Sequence, residues 1–364
     1  MPQSLWLFRV GLTLLTPVAV GALAAPAQAA SVGVASVDGT KVQYKAASGK
    51  QSKVVVTRSG MSVTIDDVVA VKAGKGCKKL DSSKVRCTMK KAPTRVRIYT
   101  YDRNDSIVNK SDLAMTADGG TGNDRITGGP RGDLLRGYRG NDTIWGLGGN
   151  DTIDSSYDND RVYGGDGGDE ISDGFGNDIV HGNNGDDVLD GEPGNDRFYG
   201  DAGDDFYRAS YPYKQEKADA DYFSGGAGTD YADYAFYHKG VTIDADGVKG
   251  DDGVKGEHDT LAADIEVLWG SGYDDHIYGT GRQDVIQGLA GNDVIYGFGG
   301  NDRLSGDDGI DKVYGGAGDD SLSGEDWGNS NRKDLLDAGT NGTSGDYCYP
   351  TASDVTVGCE YIIK

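Results

Sequence analysis

An aspartate recurs every nine residues through most of this chain, and this period constrains the fold more than any other feature. An apolar residue follows two positions after each aspartate, as Ile126 follows Asp124, and glycines fill the positions before it. A short fixed period is typical of a coiled and stacked chain, not of an ordinary globular core. The aspartates form two unbroken blocks and one isolated copy: Asp124, Asp133, Asp142, Asp151, Asp160, Asp169, Asp178, Asp187, Asp196 and Asp205; Asp275, Asp284, Asp293, Asp302, Asp311 and Asp320; and Asp230.

Each nine-residue unit divides into a turn and a strand. The first six residues of Gly119–Thr127 are Gly-Gly-Thr-Gly-Asn-Asp, and these residue types form turns because glycine adopts positive φ and Asn and Asp tolerate it. The last three residues supply a short strand with one inward apolar side chain. Two units would close a coil of about 18 residues, and coils would stack about 4.8 Å apart by strand pairing. The sequence therefore predicts an all-β fold, a parallel β-roll (β-solenoid).

The stacked aspartates predict a requirement for cations. Carboxylates would line the two outer edges of the roll about one strand spacing apart, where neighbours repel by about 3.5 kcal/mol at an effective dielectric of 20. Summed over the rows, this repulsion exceeds the stability of a typical domain, about 5–15 kcal/mol. Calcium fits best because it accepts roughly 6–8 oxygen ligands in loose geometry, whereas zinc prefers His and Cys. The four histidines are scattered along the chain.

The two blocks resemble the calcium-binding nonapeptide repeats of the RTX (hemolysin-type) family, whose motif is Gly-Gly-x-Gly-x-Asp-x-apolar-x. This resemblance implies a β-roll that holds Ca²⁺ between successive turns on each edge. The aspartates named above would be the ligands, with carbonyl groups of the preceding Gly and Asn residues, for roughly a dozen ions. Within the family, the chain resembles the small exported calcium-binding proteins more than the toxins, because we predict an N-terminal export signal, described below.

A few turns depart from the motif. The segment Ser155–Asp160 lacks glycines, so we expect that turn to bind weakly. Non-glycine residues also replace the fourth-position glycine in three turns, and one turn lacks its usual Asn: these are Arg131, Tyr273, Arg282 and Ile310.

Charge divides the chain into segments of different character. Residues 31–118 hold 17 Lys and Arg against 8 Asp and Glu, a net charge of +9, whereas residues 119–364 carry a net charge of −32, from 18 against 50. We predict a signal peptide (1–29), an N-terminal β-rich domain or cap (30–118), a first β-roll block of ten nonapeptides (119–208), a Tyr-rich insert with degenerate repeats (209–269), a second block of six nonapeptides (270–323) and a C-terminal cap (324–364).

The first 29 residues and the two cysteine pairs indicate export. Arg9, an apolar run from Val10 to Ala25 and Ala27-Gln28-Ala29 match a secretory signal cleaved after Ala29. Two local cysteine pairs predict the disulfides Cys77–Cys87 and Cys348–Cys359, as expected in an oxidising compartment. We therefore predict a secreted, extracellular protein with no membrane span after cleavage. Its acidic body would repel nucleic acids, so we expect no nucleic-acid partner.

No catalytic motif emerges from the sequence. His-Glu-x-x-His and Gly-x-Ser-x-Gly are both missing. In the insert, His238, His258, Asp244 and Glu257 could form an acid–base set, but we favour a looped-out cap whose tyrosines pack between the two blocks.

We predict a secreted calcium-binding protein, not an enzyme, with a structural or adhesive role at the cell surface or matrix. Its partners would be calcium ions and surface or matrix polysaccharide or protein. The alternatives are a carbohydrate- or cell-wall-acting enzyme that uses the 209–269 insert, and a toxin-like lytic protein.

Overall fold

The computed structural model describes residues 32–209, 220–325 and 332–363. These residues form strands and turns, and no helix occurs among them. Within this described part, accordingly, no helix could cross a bilayer. The predicted signal peptide and two tyrosines of the insert, Tyr211 and Tyr213, lie outside the described residues.

The N-terminal segment is a mixed β-structure that leads directly into the roll. Its first two strands pair antiparallel, as do the third, fourth, seventh and sixth in that spatial order. The eighth strand lies parallel to the second, which begins the parallel stacking. The strands are β1 (Gly33–Asp38), β2 (Lys41–Lys45), β3 (Lys53–Ser59), β4 (Ser62–Asp66), β5 (Val71–Ala73), β6 (Cys77–Lys79), β7 (Lys84–Thr88) and β8 (Arg95–Tyr99).

The first block forms short parallel strands that alternate between two sheets. Even-numbered strands continue the sheet of β8, and odd-numbered strands continue the sheet of β3. The strands are β9 (Ser106–Asn109), β10 (Ala114–Thr121), β11 (Arg125–Thr127), β12 (Leu134–Arg139), β13 (Thr143–Gly148), β14 (Thr152–Tyr157), β15 (Arg161–Asp166), β16 (Glu170–Ser172), β17 (Ile179–Asn184), β18 (Val188–Asp190), β19 (Arg197–Ala202) and β20 (Phe206–Arg208).

The same pattern continues to the C-terminus. The strands are β21 (Tyr222–Ala227), β22 (Tyr231–Asp233), β23 (Thr242–Asp244), β24 (Thr260–Leu261), β25 (Val267–Trp269), β26 (His276–Tyr278), β27 (Val285–Gln287), β28 (Val294–Gly299), β29 (Arg303–Ser305), β30 (Lys312–Gly318), β31 (Ser321–Ser323), β32 (Leu335–Asn341), β33 (Tyr347–Tyr349), β34 (Val355–Val357) and β35 (Tyr361–Ile362).

The register confirms the predicted coil of two nonapeptides. Ile126 lies beside Ile144, and Ile144 beside Val162, each step advancing 18 residues to the next coil. These inward side chains are fully buried, so the core is one row of apolar residues from each sheet. Since each strand buries little more than one apolar side chain, the core is thin, and the chemistry of the edges strongly influences stability.

The insert belongs to the roll, so the interpretation as a looped-out cap is wrong for its described strands. β22 pairs with β20, β25 pairs with β22, and β27 pairs with β25, so one sheet continues through the insert. The opposite sheet ends at β24, and a third sheet starts at β23. Between β23 and β24 the chain makes an excursion in which Gly253 bridges antiparallel to Thr242.

The tyrosines of the insert occupy two kinds of position. Tyr234 and Tyr237 are buried and lie with ring centroids 5.1 Å apart. Tyr222 and Tyr231 are partly exposed on the outer faces of the sheets. The buried tyrosines belong to the apolar interior of the roll, as does Ala232.

Both predicted disulfides are present, Cys77–Cys87 and Cys348–Cys359. The first joins the neighbouring strands β6 and β7 in the N-terminal segment. The second anchors β33, where Cys348 continues the buried row beyond Leu322.

Candidate metal centres

The aspartates of the repeat form hydrogen-bonded ladders along the edges of the roll. In each step the backbone N–H of one aspartate donates to Oδ1 of the aspartate 18 residues later, at 2.6–2.9 Å in the first block. The second block repeats this at 2.8–2.9 Å. One edge thus stacks Asp124, Asp142 and Asp160, and the other stacks Asp133 and Asp151.

The ladders pass through the insertions in the sequence. Asp196 donates to Asp221, and Asp205 to Asp230, across steps of 25 residues. Later, Asp311 donates to Asp334 and Asp320 to Asp346. The nine-residue spacing did not single out Asp221 or Asp346 because insertions displace them, although each still precedes a strand.

The ladder carboxylates are buried within the edges of the roll. The side chains of the seventeen predicted aspartates are at most 3% exposed. The residue that precedes each aspartate lies nearer the solvent, and it is Asn in eight of the seventeen turns. The N–H of Asn141 donates to the side-chain oxygen of Asn123 at 3.1 Å, and Asn177 repeats this with Asn159 at 2.8 Å.

The second carboxylate oxygen, Oδ2, is the feature that points to a ligand. In twelve of the predicted aspartates it is buried and has no hydrogen-bond partner in the described structure. A buried oxygen in this state is costly unless a cation or a proton satisfies it. The twelve are Asp124, Asp142, Asp151, Asp160, Asp169, Asp178, Asp187, Asp205, Asp230, Asp293, Asp302 and Asp320.

A glycine five residues before the aspartate forms a cradle for this oxygen. A Cβ at Gly146 would collide with both Asp151 Oδ2 and the carbonyl oxygen of Gly164 in the next coil. Two oxygens therefore converge where a side chain would otherwise be. The same relation holds between Gly297, Asp302 Oδ2 and the carbonyl oxygen of Gly315. Converging carboxylate and carbonyl oxygens are the donor set that Ca²⁺ prefers.

At Gly167 the fourth motif position requires glycine for both its conformation and its space. Gly167 has a φ of +129°, and a Cβ there would lie 2.5 Å from the carbonyl oxygen of Gly149. Arg131, Tyr273 and Arg282 occupy this position in three other turns, and none of them has a positive φ. The backbone of those three turns therefore follows a different path.

In these three turns a backbone N–H of the same turn donates a hydrogen bond to the second oxygen of the aspartate. Asp133 Oδ2 accepts the N–H of Gly129 at 2.7 Å. Asp275 Oδ2 accepts the N–H of Ser271 at 2.6 Å, and Asp284 Oδ2 accepts the N–H of Thr280 at 2.6 Å. We call these three turns, each from the named donor to its aspartate, the self-capped turns. The structure thus separates Asp133, Asp275 and Asp284 from the other predicted ligands.

Burial makes the ladder carboxylates unusually reluctant to ionise. It raises the pKa of Asp124 and Asp151 to about 7, with smaller contributions from neighbouring aspartates. For Asp160 burial raises the pKa to about 9, helped by Asp142 and Asp178. The backbone N–H that donates to each carboxylate acts in the opposite direction but is outweighed. A nearby cation would reverse this preference.

The proposed acid–base set of the insert does not converge on one cleft. A cavity of about 460 Å³ is lined by Glu257 and His258, but His238 and Asp244 are not among its described lining residues. Glu257 accepts the N–H of Val254 at 2.8 Å, and His258 contacts the carbonyl oxygen of Gly250 at 3.2 Å. Both side chains thus take part in local turn contacts.

Comparison with known proteins agrees with the resemblance seen in the sequence. A family model described as the RTX calcium-binding nonapeptide repeat (4 copies) matches residues 118–153, 137–171, 154–189, 172–207, 269–297, 278–313 and 296–326. No curated protein matches the chain.

Proposed function

Because residues 118–207 and 269–326 are RTX calcium-binding nonapeptide repeats, we propose that this chain is a secreted calcium-binding protein whose roll folds when it binds several Ca²⁺ ions. RTX repeats bind calcium in general. The observation that carries the proposal for this chain is the set of twelve buried Oδ2 atoms without a hydrogen-bond partner. Each requires a positive charge or a proton, and Ca²⁺ accepts oxygen ligands in such irregular arrangements.

The ligands would be the ladder aspartates together with the carbonyl oxygens of the glycine turns. Each ion would lie between successive turns on one edge, which gives roughly a dozen ions in all. When bound, calcium supplies the positive charge that offsets the repulsion within each ladder. The self-capped turns at Asp133, Asp275 and Asp284 would contribute least, because a backbone N–H already uses the oxygen that would face the ion.

The two disulfides support an extracellular location, because they persist in oxidising compartments. Extracellular calcium is millimolar, which matches the dissociation constants of about 10⁻⁴–10⁻³ M typical of extracellular calcium modules. The chain would remain unfolded in the cytosol, where calcium is scarce, and would fold after export.

The folded chain would act as an interaction module at the cell surface or in the matrix, without catalysis. The described residues of the insert offer no converged acid–base set, which favours binding over turnover. Incubating cell envelopes with calcium-loaded and with chelated protein tests this role. Retention only in calcium supports it, and equal retention in chelator contradicts it.

A pair of substitutions on one ladder tests the calcium assignment. Asp302→Asn removes the charge of a buried oxygen that lacks a partner, whereas Asp284→Asn changes a self-capped turn in which an amide can still accept the N–H of Thr280. We expect Asp302→Asn to raise the calcium midpoint of folding about 3- to 10-fold, and Asp284→Asn to leave it nearly unchanged.

The measurement is far-ultraviolet circular dichroism during calcium titration of chelated protein. Wild-type protein should gain β-signal cooperatively as calcium is added. An equal shift for both variants would contradict the assignment of ligands, and a fully ordered chelated protein would contradict calcium-dependent folding itself.

A further inference from the structure

One turn of the first block has an aspartate where most other turns have the cradle glycine. Asp173 lies five residues before Asp178, in the position that Gly146 occupies relative to Asp151. The side chain of Asp173 is fully buried. The nine-residue pattern of aspartates does not include Asp173, so it is an additional carboxylate inside the edge of the roll.

Asp173 lies in a group of carboxylates, and one of its oxygens has no hydrogen-bond partner. Its Oδ1 accepts the N–H of Glu192 at 3.1 Å, while its Oδ2 is buried with no hydrogen-bond partner. Carboxylate oxygens of Asp173, Asp178 and Asp196 lie within 4.8 Å of one another. Asp178 Oδ2 is also buried without a partner. Two of the three clustered carboxylates thus each keep a buried oxygen without a hydrogen-bond partner.

The charges around this group are negative. Besides being buried, Asp173 has four acidic neighbours that act on it electrostatically: Asp196, Asp178, Asp221 and Glu192. Ser155 in the neighbouring coil donates its hydroxyl to the carbonyl oxygen of Asp173 at 2.6 Å, so it holds the backbone and leaves the carboxylate available. Three buried carboxylates this close together attract a divalent cation more strongly than two do.

We propose that Asp173, Asp178 and Asp196 bind one Ca²⁺ at a three-carboxylate site, and that this is the tightest calcium site of the first block. The inference rests on the proposed function, because it assigns a stronger variant of the same kind of site. Calcium affinity rises with the number of charged ligands, and here a ligand replaces the glycine that elsewhere only leaves space. The site would fill first and nucleate the ordering of neighbouring coils.

Asp173→Gly is the appropriate variant because it restores the residue that other turns have, so the roll retains a backbone it tolerates. Asp158→Gly is the matched control. It also replaces an aspartate in a neighbouring turn by the motif glycine, at a φ of +76° that favours glycine, but the side chain of Asp158 is exposed. Both variants remove one negative charge.

Isothermal calorimetry in the presence of a competing chelator measures the affinities. Wild-type protein and Asp158→Gly should show one site about tenfold tighter than the others, and Asp173→Gly should lack it while keeping the weaker sites. If Asp173→Gly retains the tight site, the proposal is wrong. Calcium uptake by weaker sites in that same experiment shows that the proposed function stands independently.

Anomalous scattering from crystals of the calcium-loaded protein locates the ion directly. A calcium peak about 2.3–2.6 Å from oxygens of all three carboxylates supports the site. Peaks along the ladders but none at Asp173 would overturn this inference alone, whereas crystals without any calcium peak would overturn the proposed function as well.

Discussion

At the scale of single residues, one amino-acid type performs different tasks because its neighbours differ. Asp151 and Asp133 are neighbours on one ladder, yet only Asp151 has an Oδ2 without a partner. The difference originates in Arg131, which replaces a glycine and changes the path of the turn. The glycines also differ, since some provide space for a carboxylate and others provide a positive φ.

A pair of glycine substitutions tests the cradle. A Cβ at Gly146 would collide with Asp151 Oδ2 and the carbonyl oxygen of Gly164, whereas a Cβ at Gly148 would have its nearest neighbours at 3.9–4.0 Å. We expect Gly146→Ala to raise the calcium midpoint at least about tenfold or to prevent local folding, and Gly148→Ala to change it little.

Calcium titration followed by circular dichroism measures the calcium midpoint of folding for both variants. Because the two glycines lie in the same turn and both change to alanine, helix and strand propensities change alike. A similar midpoint for the two variants would show that the space above Gly146 is not part of a calcium site.

At the scale of elements, the strands are too short to be stable alone, and stacking of side chains on the outer faces supplements the core. The rings of Trp145, Tyr163, His181 and Tyr199 form a column with centroids 4.6–6.0 Å apart and planes within 12° of parallel. Each such pair contributes about 0.5–1.5 kcal/mol. Neighbouring rings cover most ring faces, so the column presents mainly ring edges to solvent and serves the fold more than ligand stacking.

The C-terminal disulfide fastens the end of a ladder, and its removal should weaken calcium binding. Asp346 is the last aspartate of its ladder and accepts the N–H of Asp320. It lies two residues before Cys348. We expect Cys348→Ala with Cys359→Ala to destabilise the end of the roll by about 3 kcal/mol and to raise the calcium midpoint. The measurement is thermal unfolding in calcium together with a calcium titration.

The N-terminal disulfide provides the control for this prediction. Cys77–Cys87 closes a loop of similar length, with a separation of 10 residues against 11, but it joins antiparallel strands away from the ladders. Its removal should lower thermal stability and leave the calcium midpoint unchanged. Equal calcium midpoints for the two double variants would contradict the link between the second disulfide and the ladder.

At the scale of the whole molecule, folding and cation binding are one process. The roll is a continuous stack from the N-terminal segment to β35, with a net charge of −32 over residues 119–364. Its thin core cannot offset buried, unneutralised carboxylates. The metal-free chain at neutral pH must therefore either bind protons or unfold.

This balance predicts that protons partly replace calcium. The ladder carboxylates have folded-state pKa values raised to about 7 for Asp124 and about 9 for Asp160, above the unfolded value of about 3.9. A raised pKa contributes stability that is complete below about pH 4 and is lost as the pH rises through 7 to 9. Chelated protein should therefore show more β-structure at pH 4.5 than at pH 8.

Circular dichroism of the chelated protein as a function of pH measures this effect. At pH 8 added calcium should restore the β-signal, and the calcium midpoint should rise as the pH falls because protons compete for the same oxygens. More β-structure at pH 8 than at pH 4.5 in chelator would be incompatible with buried ladder carboxylates.

The sequence by itself determined the coil. The period of nine, the alternation of turn and strand residues and the inward apolar position are local properties, so the parallel roll, its 18-residue register and the Asp ladders followed directly. The local spacing of the cysteines likewise predicted both disulfides.

Only the tertiary structure decided what each carboxylate contacts. The strands of the insert join the same sheets because strand pairing depends on partners distant in sequence, such as β22 with β20 and β25. The satisfaction of Asp284 Oδ2 and the meeting of Asp173 with Asp178 and Asp196 depend on turn path and on stacking between coils. A repeating sequence fixes the average coil, but the position of each oxygen depends on the neighbouring coils.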